Sequence, residues 1–423
     1  MRSMRDLKKH KVIVVGGGAA GMMAAGFASQ AGAKVVLLEP NDRLGKKLAI
    51  TGKGRCNVTN DSSAEEILKN IPRNSRFLFS AVHGFGAEAA MSFFEDHGCA
   101  LKVERGNRVF PVSDKSADVI AALQRFLKEQ NVEIKRTKAK ELLVEDGKIK
   151  GVRTAEGCEY GRCVILCTGG CSYPLTGSTG DGYQMAEAVG HSVVEPRGSL
   201  VPLEEDGIWC AQMQGLSLRN VAVKLINQKK KVVYEDFGEL LFTHFGLSGP
   251  TILSASAHFK EGDTYRIVID LKPALDEQKL DQRILRDLEQ YQNRTMENAL
   301  QDLYPRTLIP VMLERAEIPA DLKANSLTKQ QRRRLLELTK AFTVEIAGLR
   351  PVAEAIITAG GIKTKEVDPK TMESKVVSGL YFAGEVLDVD AYTGGFNLQI
   401  AWSTAYAAGM AAGGREFYEE EVQ

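Results

Sequence analysis

The 423-residue chain contains no apolar run of the roughly 18–20 residues that a membrane-spanning helix needs. Histidine is scarce, at six residues, and none lies between His10 and His83. Cysteine occurs seven times, an odd number at irregular spacing with no C-x-x-C pair. That pattern excludes a disulfide framework, argues against a dithiol redox centre and suits a reducing compartment. Neither sign of charge dominates: 55 Lys and Arg face 54 Asp and Glu, a formal net charge of +1. There is no overall basic field to draw nucleic acid and no acidic one to repel it. The start "MRSMRDLKKH" is basic, but the apolar run after it, "VIVV", breaks at three glycines and is far too short for a signal-peptide core. A cytoplasmic protein is expected.

What remains is an ordinary globular composition, 44% hydrophobic and 26% charged, over a length that one core seldom organises; two or three domains are expected. The most informative stretch is "KVIVVGGGAAGMMAAGFASQAGAKVVLLEP". A short continuous apolar run reads as a buried parallel strand. G-x-G-x-x-G follows as Gly16, Gly18 and Gly21, then an Ala- and Met-rich helix, then a second strand, "KVVLL", ending in Glu39. Gly16 permits the tight turn, Gly18 lets a pyrophosphate approach the backbone, and Gly21 lets helix and strand pack closely. The helix start offers unpaired N–H groups and a positive dipole end. An acid in the place of Glu39 accepts from ribose hydroxyls and repels a 2′-phosphate, so the spacing predicts FAD or NAD and not NADP. No second G-x-G-x-x-G unit is present, so a nicotinamide would visit the flavin face transiently.

Farther along, residues 62–128 read as helical with breaks, and 132–170 as short strands ending in "CVILC" and the turn Thr168, Gly169, Gly170. Strand-like runs "VAVKLI", "KKVVYE" and "TYRIVIDL" follow, then a polar helical block, then "AIITAGGI" and "GLYFAGEVLDVDAYTGGFNLQIAWSTAYAAG" in the style of the first half. The reading is an α/β fold: a Rossmann-like nucleotide-binding domain from both chain ends (1–195 and 346–423) and an insert (196–345), β-rich over 196–275 and helical over 276–345. The basic "KQQRRRLLELTK" shows helical spacing of apolar positions and reads as a solvated amphipathic helix.

Four motifs carry a resemblance: "VVGGGAAGMMAA", "RLGKKLAITGKGRCNVTN", "FTHFGLSGPTIL" and the C-terminal glycine-rich stretch. Together they resemble the BaiN-like flavoproteins, a group of NAD(FAD)-utilising dehydrogenases and aminoacetone-oxidase-family FAD-binding enzymes. "TGSTGDGYQMAEAVG" is more distantly similar to the fumarate-reductase-like branch of the glutathione-reductase superfold. The resemblance implies FAD between the chain ends and a β-barrel-like plus helical insert. It implies that Gly16, Gly18, Ala19, Ala20, Gly21, Glu39 and Pro40 hold the ADP half, with Arg43, Lys46 and Lys47 flanking the pyrophosphate. Thr51, Gly52, Arg55, Cys56 and Asn57 would lie along the flavin. Thr168, Gly169 and Gly170 would face the adenosine side, Gly384 and Glu385 the ribityl or phosphate region, and Gly395, Phe396, Asn397 and Leu398 the isoalloxazine. Covalent relatives attach flavin through a histidine after the second strand; none occurs here, so a dissociable FAD is expected.

Three residues are candidates for chemistry beside the flavin: Cys56, whose neighbours Lys53 and Arg55 would lower a thiol pKa; Asn57; and His244, an imidazole in a glycine-rich loop. Cys163, Cys167 and Cys171 are spaced by four on a strand and turn and do not read as a metal site. The expected activity is FAD-dependent oxidoreduction of a small organic substrate, with NAD(P)H as a transient reductant and neither nucleic acid nor membrane as partner. An RNA-modifying flavoenzyme and a non-enzymatic FAD-binding redox sensor are the alternatives.

Overall fold

A computed structural model describes residues 10–260 and 262–416. The chain forms two compact units: one runs to Gly198 and resumes at Val352, the other is Ser199–Pro351.

The first unit is built on five parallel strands in the order Leu380–Phe382, Cys163–Leu166, Lys11–Val15, Lys34–Leu38, Glu133–Lys135. Val12 lies opposite Val35 on one side and Cys163 on the other. The central strand is apolar without alternation because it is covered on both faces: Val12, Ile13 and Val14 are all fully buried. Helix Ala19–Gln30 leaves the central strand and packs along the long C-terminal helix Phe396–Gly413. Their contact is backbone on backbone. A Cβ on Gly409 would sit 2.7 Å from the Ala24 carbonyl oxygen, and one on Gly413 would sit 2.2 Å from that of Ala28. Phe27 then locks the first helix to its surroundings, meeting Phe85, Phe126 and Tyr406 edge-on at 5.7, 5.0 and 4.9 Å. Such aromatic pairs add about 0.5–1.5 kcal/mol each beyond their burial.

Residues 62–128 are not wholly helical. Helices Ala64–Lys69, Ala87–Asp96 and Ser116–Glu129 are interrupted by strands Leu101–Glu104 and Arg108–Pro111, which join Thr59–Asn60 in an antiparallel sheet. These strands are too short to carry a period-2 signal; pairing with a segment some fifty positions earlier supplies what local pattern does not. An antiparallel meander, Ala139–Glu145, Lys148–Thr154 and Cys158–Tyr160, completes the strand-rich stretch.

The second unit is a closed six-stranded barrel, in the order Leu203–Glu205, Gly246–Ser248, Val232–Phe242, Ser217–Asn227, Tyr265–Asp270, Phe342–Leu349. Helices Glu277–Gln290, Met296–Ala299, Ile309–Arg315 and Lys329–Lys340 are inserted before the last strand. The helical block therefore ends at Lys340 and not at 345. Phe342, Val344 and Ile346 are buried while Thr343 and Glu345 are not, a period of two that closes the barrel. The basic helix Lys329–Lys340 begins with a capping box between Thr328 and Gln331. Its cations pair locally: Arg332 with Asp281 at 2.8 Å, Arg333 with Glu337 at 2.8 Å, Arg334 with Glu317, Lys340 with Asp270 at 2.5 Å. Among the described residues no single helix is long and apolar enough to cross a bilayer; the bent pair Ser75–Gly84 and Ala87–Asp96 reaches that composition only jointly, and its Leu78, Val82 and Phe94 are fully buried in the core.

Candidate functional site

The carboxyl ends of the central strands form a cradle. Gly16 leaves the first strand at φ +102°, and a Cβ there would lie 2.5 Å from the Cys167 carbonyl oxygen, at the end of the neighbouring strand. A Cβ on Gly21 would lie 1.7 Å from the Gly16 carbonyl oxygen. Around Gly18 the reverse holds: a Cβ would meet nothing within 4 Å. Gly18 caps the helix without a side-chain bond, so the first-turn N–H groups, at Ala19 and Ala20 among others, keep the vacancy common to helix starts. Glu39 is buried; its Oε2 accepts from the Gly17 N–H at 2.7 Å, and its Oε1 from the Asn41 backbone and side-chain N–H groups at 2.8 and 2.7 Å. Asn41 also donates to the Thr176 carbonyl at 3.2 Å, tying Glu39 to the loop after the Cys163–Leu166 strand. Pro40 and Arg43 are exposed; Lys46 Nζ reaches Asn41 Oδ1 at 3.3 Å.

A second polar cluster joins four separate segments of the chain. Glu385 accepts from Lys47 Nζ at 2.7 Å, from Ser172 Oγ at 3.0 Å and from the Thr358 N–H at 2.9 Å, and Lys47 also donates to Ser172 Oγ at 2.7 Å. Gly170 leaves no room beside it, since a Cβ would be 2.8 Å from Glu385 Oε1. Gly384 packs on the helix start, where its Cβ would be 2.8 Å from that of Ala20. Thr168 Oγ1 is buried without a hydrogen-bond partner, with Gly169 half-buried beside it. Asn41, Ser172 and Thr358 gave no sequence signal. Their roles arise from segments brought together by the sheet.

The segment 48–57 doubles back through a chain of unusual residues: Gly52, Lys53, Gly54 and Cys56 all have positive φ. Thr51 Oγ1 donates to the Leu48 carbonyl at 2.7 Å. Two expectations fail here. Arg55 is not directed along the loop but into a separate network, with Glu104 and Asp114 each at 2.5 Å and the Phe110 ring at 4.1 Å. Cys56 is fully buried, and burial pushes its thiol up to about 12, with a smaller opposing effect from Thr51. The neighbouring cations do not lower it. Iodoacetamide at pH 8 should therefore leave Cys56 unmodified in the folded protein while labelling exposed Cys158; rapid loss of the Cys56 peptide by mass spectrometry would contradict this assignment. Asn57 follows, half-buried, with an Oδ1 that is enclosed and has no hydrogen-bond partner.

The C-terminal glycines close the same end of the cradle. A Cβ on Gly395 would fall 2.3 Å from the Thr59 carbonyl oxygen, and Asn60 Nδ2 donates to the Gly394 carbonyl at 3.0 Å. Phe396 is buried in the core and Leu398 packs against it. The Asn397 side chain is engaged with the loop before it: its Oδ1 accepts from the Ala391 N–H and its Nδ2 donates to the Ala391 carbonyl, both at 2.8 Å. Nearby Asp388 has its carboxyl pushed up by burial, opposed by an Asn74 Nδ2 bond at 2.9 Å. His244 lies in the barrel unit, exposed between strands Val232–Phe242 and Gly246–Ser248, with its ring 5.0 Å from that of Phe245. Among the described residues no group of His, Cys, Asp and Glu is arranged to hold a metal ion.

Residues 10–411 match the profile of the family described as HI0933-like protein Rossmann domain. The chain belongs to this family of FAD-binding oxidoreductases. It is 32% identical to a 3-dehydro-bile acid delta(4,6)-reductase of Clostridium scindens, covering 96% of this chain and 100% of that one. It is 30% identical to a ribosomal RNA dihydrouridine synthase of Escherichia coli, covering 95% and 97%. Among solved structures it resembles the 3-ketosteroid-delta4-(5alpha)-dehydrogenase of Rhodococcus jostii RHA1 at a TM-score of 0.51 and 14% identity, covering 97% and 99%; that is a likeness of fold. The cradle of this HI0933-like protein fits FAD. Gly18 faces open space where a pyrophosphate needs it, Glu39 is fixed where ribose hydroxyls are read, and Thr168 Oγ1 and Asn57 Oδ1 are enclosed polar atoms that lack partners.

Proposed function

We propose that this protein is an FAD-dependent reductase that saturates a carbon–carbon double bond conjugated to a carbonyl in a small organic molecule, with NAD(P)H as the transient reductant. The observation that carries the reading is chemical agreement between two relatives matched over nearly their whole length. One is named a bile acid delta(4,6)-reductase and the other a dihydrouridine synthase. A conjugated dienone and the uracil 5,6-double bond are both alkenes polarised by a carbonyl. Each takes hydride at the far carbon and a proton at the carbon next to the carbonyl.

Bound FAD supplies the hydride. The chain's own part is to hold the cofactor at Gly18 and Glu39, keep Lys47 and Glu385 paired beside it, and bring a proton to the substrate carbon. A small substrate is favoured over RNA because charge is balanced overall and the cations of the most basic helix are spent on local acids.

Anaerobic addition of NADH or NADPH should bleach the flavin, and a cyclic enone should restore its colour while the saturated ketone does not. Recolouring by an RNA transcript and not by any enone would overturn the small-substrate reading; bleaching by amines without nicotinamide would overturn the reductase.

A further inference from the structure

One buried histidine takes no part in the cradle's hydrogen bonds. His191 follows helix Asp181–Glu187, and its side chain is wholly enclosed. Its Nε2 is 2.7 Å from Ser374 Oγ. Its Nδ1 is 3.3 Å from Glu366 Oε2, without the alignment of a hydrogen bond. That Glu366 oxygen already accepts from the Ser192 N–H at 2.8 Å. The Phe382 ring packs edge-on against the imidazole at 4.8 Å. Of the charged groups around it, among the described residues, Glu366 acts on the imidazole and Lys363 acts on Glu366.

A hydroxyl has one proton to give and two lone pairs with which to accept. Both lone pairs of Ser374 Oγ are taken, by the Val376 N–H at 3.0 Å and the Val377 N–H at 2.8 Å. Its proton therefore points at His191, and Nε2 is the acceptor. The imidazole is then the Nδ1–H tautomer, assigned by the network around it. A second proton, on Nε2, would face an oxygen with no lone pair left. Ser374 can answer it only by turning its hydroxyl and letting one backbone N–H go, and a buried N–H without an acceptor is costly.

The turn so released holds an edge of the central sheet. The Ser374 N–H donates to the Leu380 carbonyl at 2.7 Å, and Glu373 bridges to Tyr381. Leu380–Phe382 is an edge strand of the five, and Gly384 and Glu385 of the cradle come directly after it. Burial pushes the His191 imidazole below its ordinary value of 6.5, against the attraction of Glu366. The neutral ring is thus the native one. Near pH 6.5 the unfolded chain takes up a proton that the native turn refuses. The stability lent by His191 is therefore whole above that pH and falls as acid is added below it.

We propose that His191 and Ser374 form an acid-sensitive latch: protonation of Nε2 breaks the Ser374–Val377 turn and loosens the edge strand Leu380–Phe382, and with it the rim of the cradle at Gly384 and Glu385. Every group in the latch belongs to the chain, so it operates with or without bound FAD.

Hydrogen exchange of the full chain without FAD tests the latch, read by mass spectrometry on peptides spanning 373–383 and corrected for the intrinsic rate. One proton governs the opening, so exchange there should quicken by up to about tenfold for each pH unit below about 6.5. Peptides of the barrel strand Ser217–Asn227 should change much less. His191→Gln presents an amide that does not titrate, and its exchange in 373–383 should agree within about threefold between about pH 6.5 and about pH 5.5. Ser374→Ala takes away the hydroxyl that opposes the proton, so its turn should exchange fast at both pH values. Parent exchange that ignores pH would overturn the latch, and so would an acid response as large in His191→Gln as in the parent. If His191→Gln does not fold, Ser374→Ala decides: a parental acid response there overturns the proposal, and its loss sustains it.

Discussion

Gly21→Ala should yield a protein that purifies without FAD and unfolds more easily, whereas Gly18→Ala should fold as the parent does and lose only the cofactor. The two glycines belong to one motif but answer to different neighbours. At Gly21 an added methyl would be 1.7 Å from the Gly16 carbonyl oxygen and 3.3 Å from the Cys167 side chain. Neither can retreat. Gly16 terminates the central strand of the sheet, and its own Cβ position is already within 2.5 Å of the Cys167 carbonyl. The helix must move off the strand, at a cost of about 3 kcal/mol or more, and the turn that presents its N–H groups moves with it. At Gly18 the backbone is extended, φ −80° and ψ −165°, so alanine is conformationally permitted. The protein offers nothing within 4 Å to collide with. A bound pyrophosphate is what the methyl would meet on the proposed FAD reading, so FAD affinity should fall at least tenfold with the apo-protein melting temperature nearly unchanged. The ratio of flavin to protein absorbance, with thermal melts of FAD-free samples, reads both effects. Gly21→Ala with a full complement of FAD would refute the geometry.

Glu385→Ala should cost about 3 kcal/mol in denaturant unfolding of FAD-free protein. The carboxylate and the Lys47 ammonium are only 16% and 20% exposed, so neither is well hydrated. Without Glu385 the Thr358 N–H loses its acceptor and Lys47 keeps only Ser172 Oγ. The cost lies less in the pair than in the cation left behind. Glu385→Gln, which keeps an acceptor for Thr358 and Ser172 but not the charge, should lose about half as much. A loss below about 1 kcal/mol for alanine would mean that water reaches Lys47 freely, as in a surface pair.

The features legible in the sequence are those written over short distances. Strand, glycine turn, helix and terminal acid lie within thirty positions, and each residue type has one physical reason to be there. The barrel strands Ser217–Asn227 and Tyr265–Asp270 were legible for the same reason, through β-branched runs. Arg55 was not. In the sequence it stands among lysines and glycines, but its partners come from the small antiparallel sheet (Glu104) and the turn just after it (Asp114), about fifty to sixty residues on. Cys56 misled in the same way. Its charged neighbours in sequence point elsewhere because the chain reverses its handedness at Gly52, Lys53 and Gly54, and what surrounds the sulfur is core. Strand Phe342–Leu349 was hidden by the helices before it, although the alternation of Phe342, Val344 and Ile346 is plain once the helix is ended at Lys340.

The two helices that touch backbone to backbone at Gly409 and Gly413 have a consequence for the protein's birth. A ribosome releases the first motif long before helix Phe396–Gly413. Until Phe396–Gly413 emerges, the small-residue face of Ala19–Gln30 has nothing to close on, and Trp402 has not yet donated to the Val58 carbonyl at 2.8 Å. The nascent cradle is therefore half a site until that helix emerges, while the barrel encoded between its halves already has every strand it needs. The intervening unit can become globular first, and the two ends must then find each other across it, a long loop closure that slows folding. Cofactor loading, on this view, waits for that closure: FAD can report that the two halves of the nucleotide-binding unit have met.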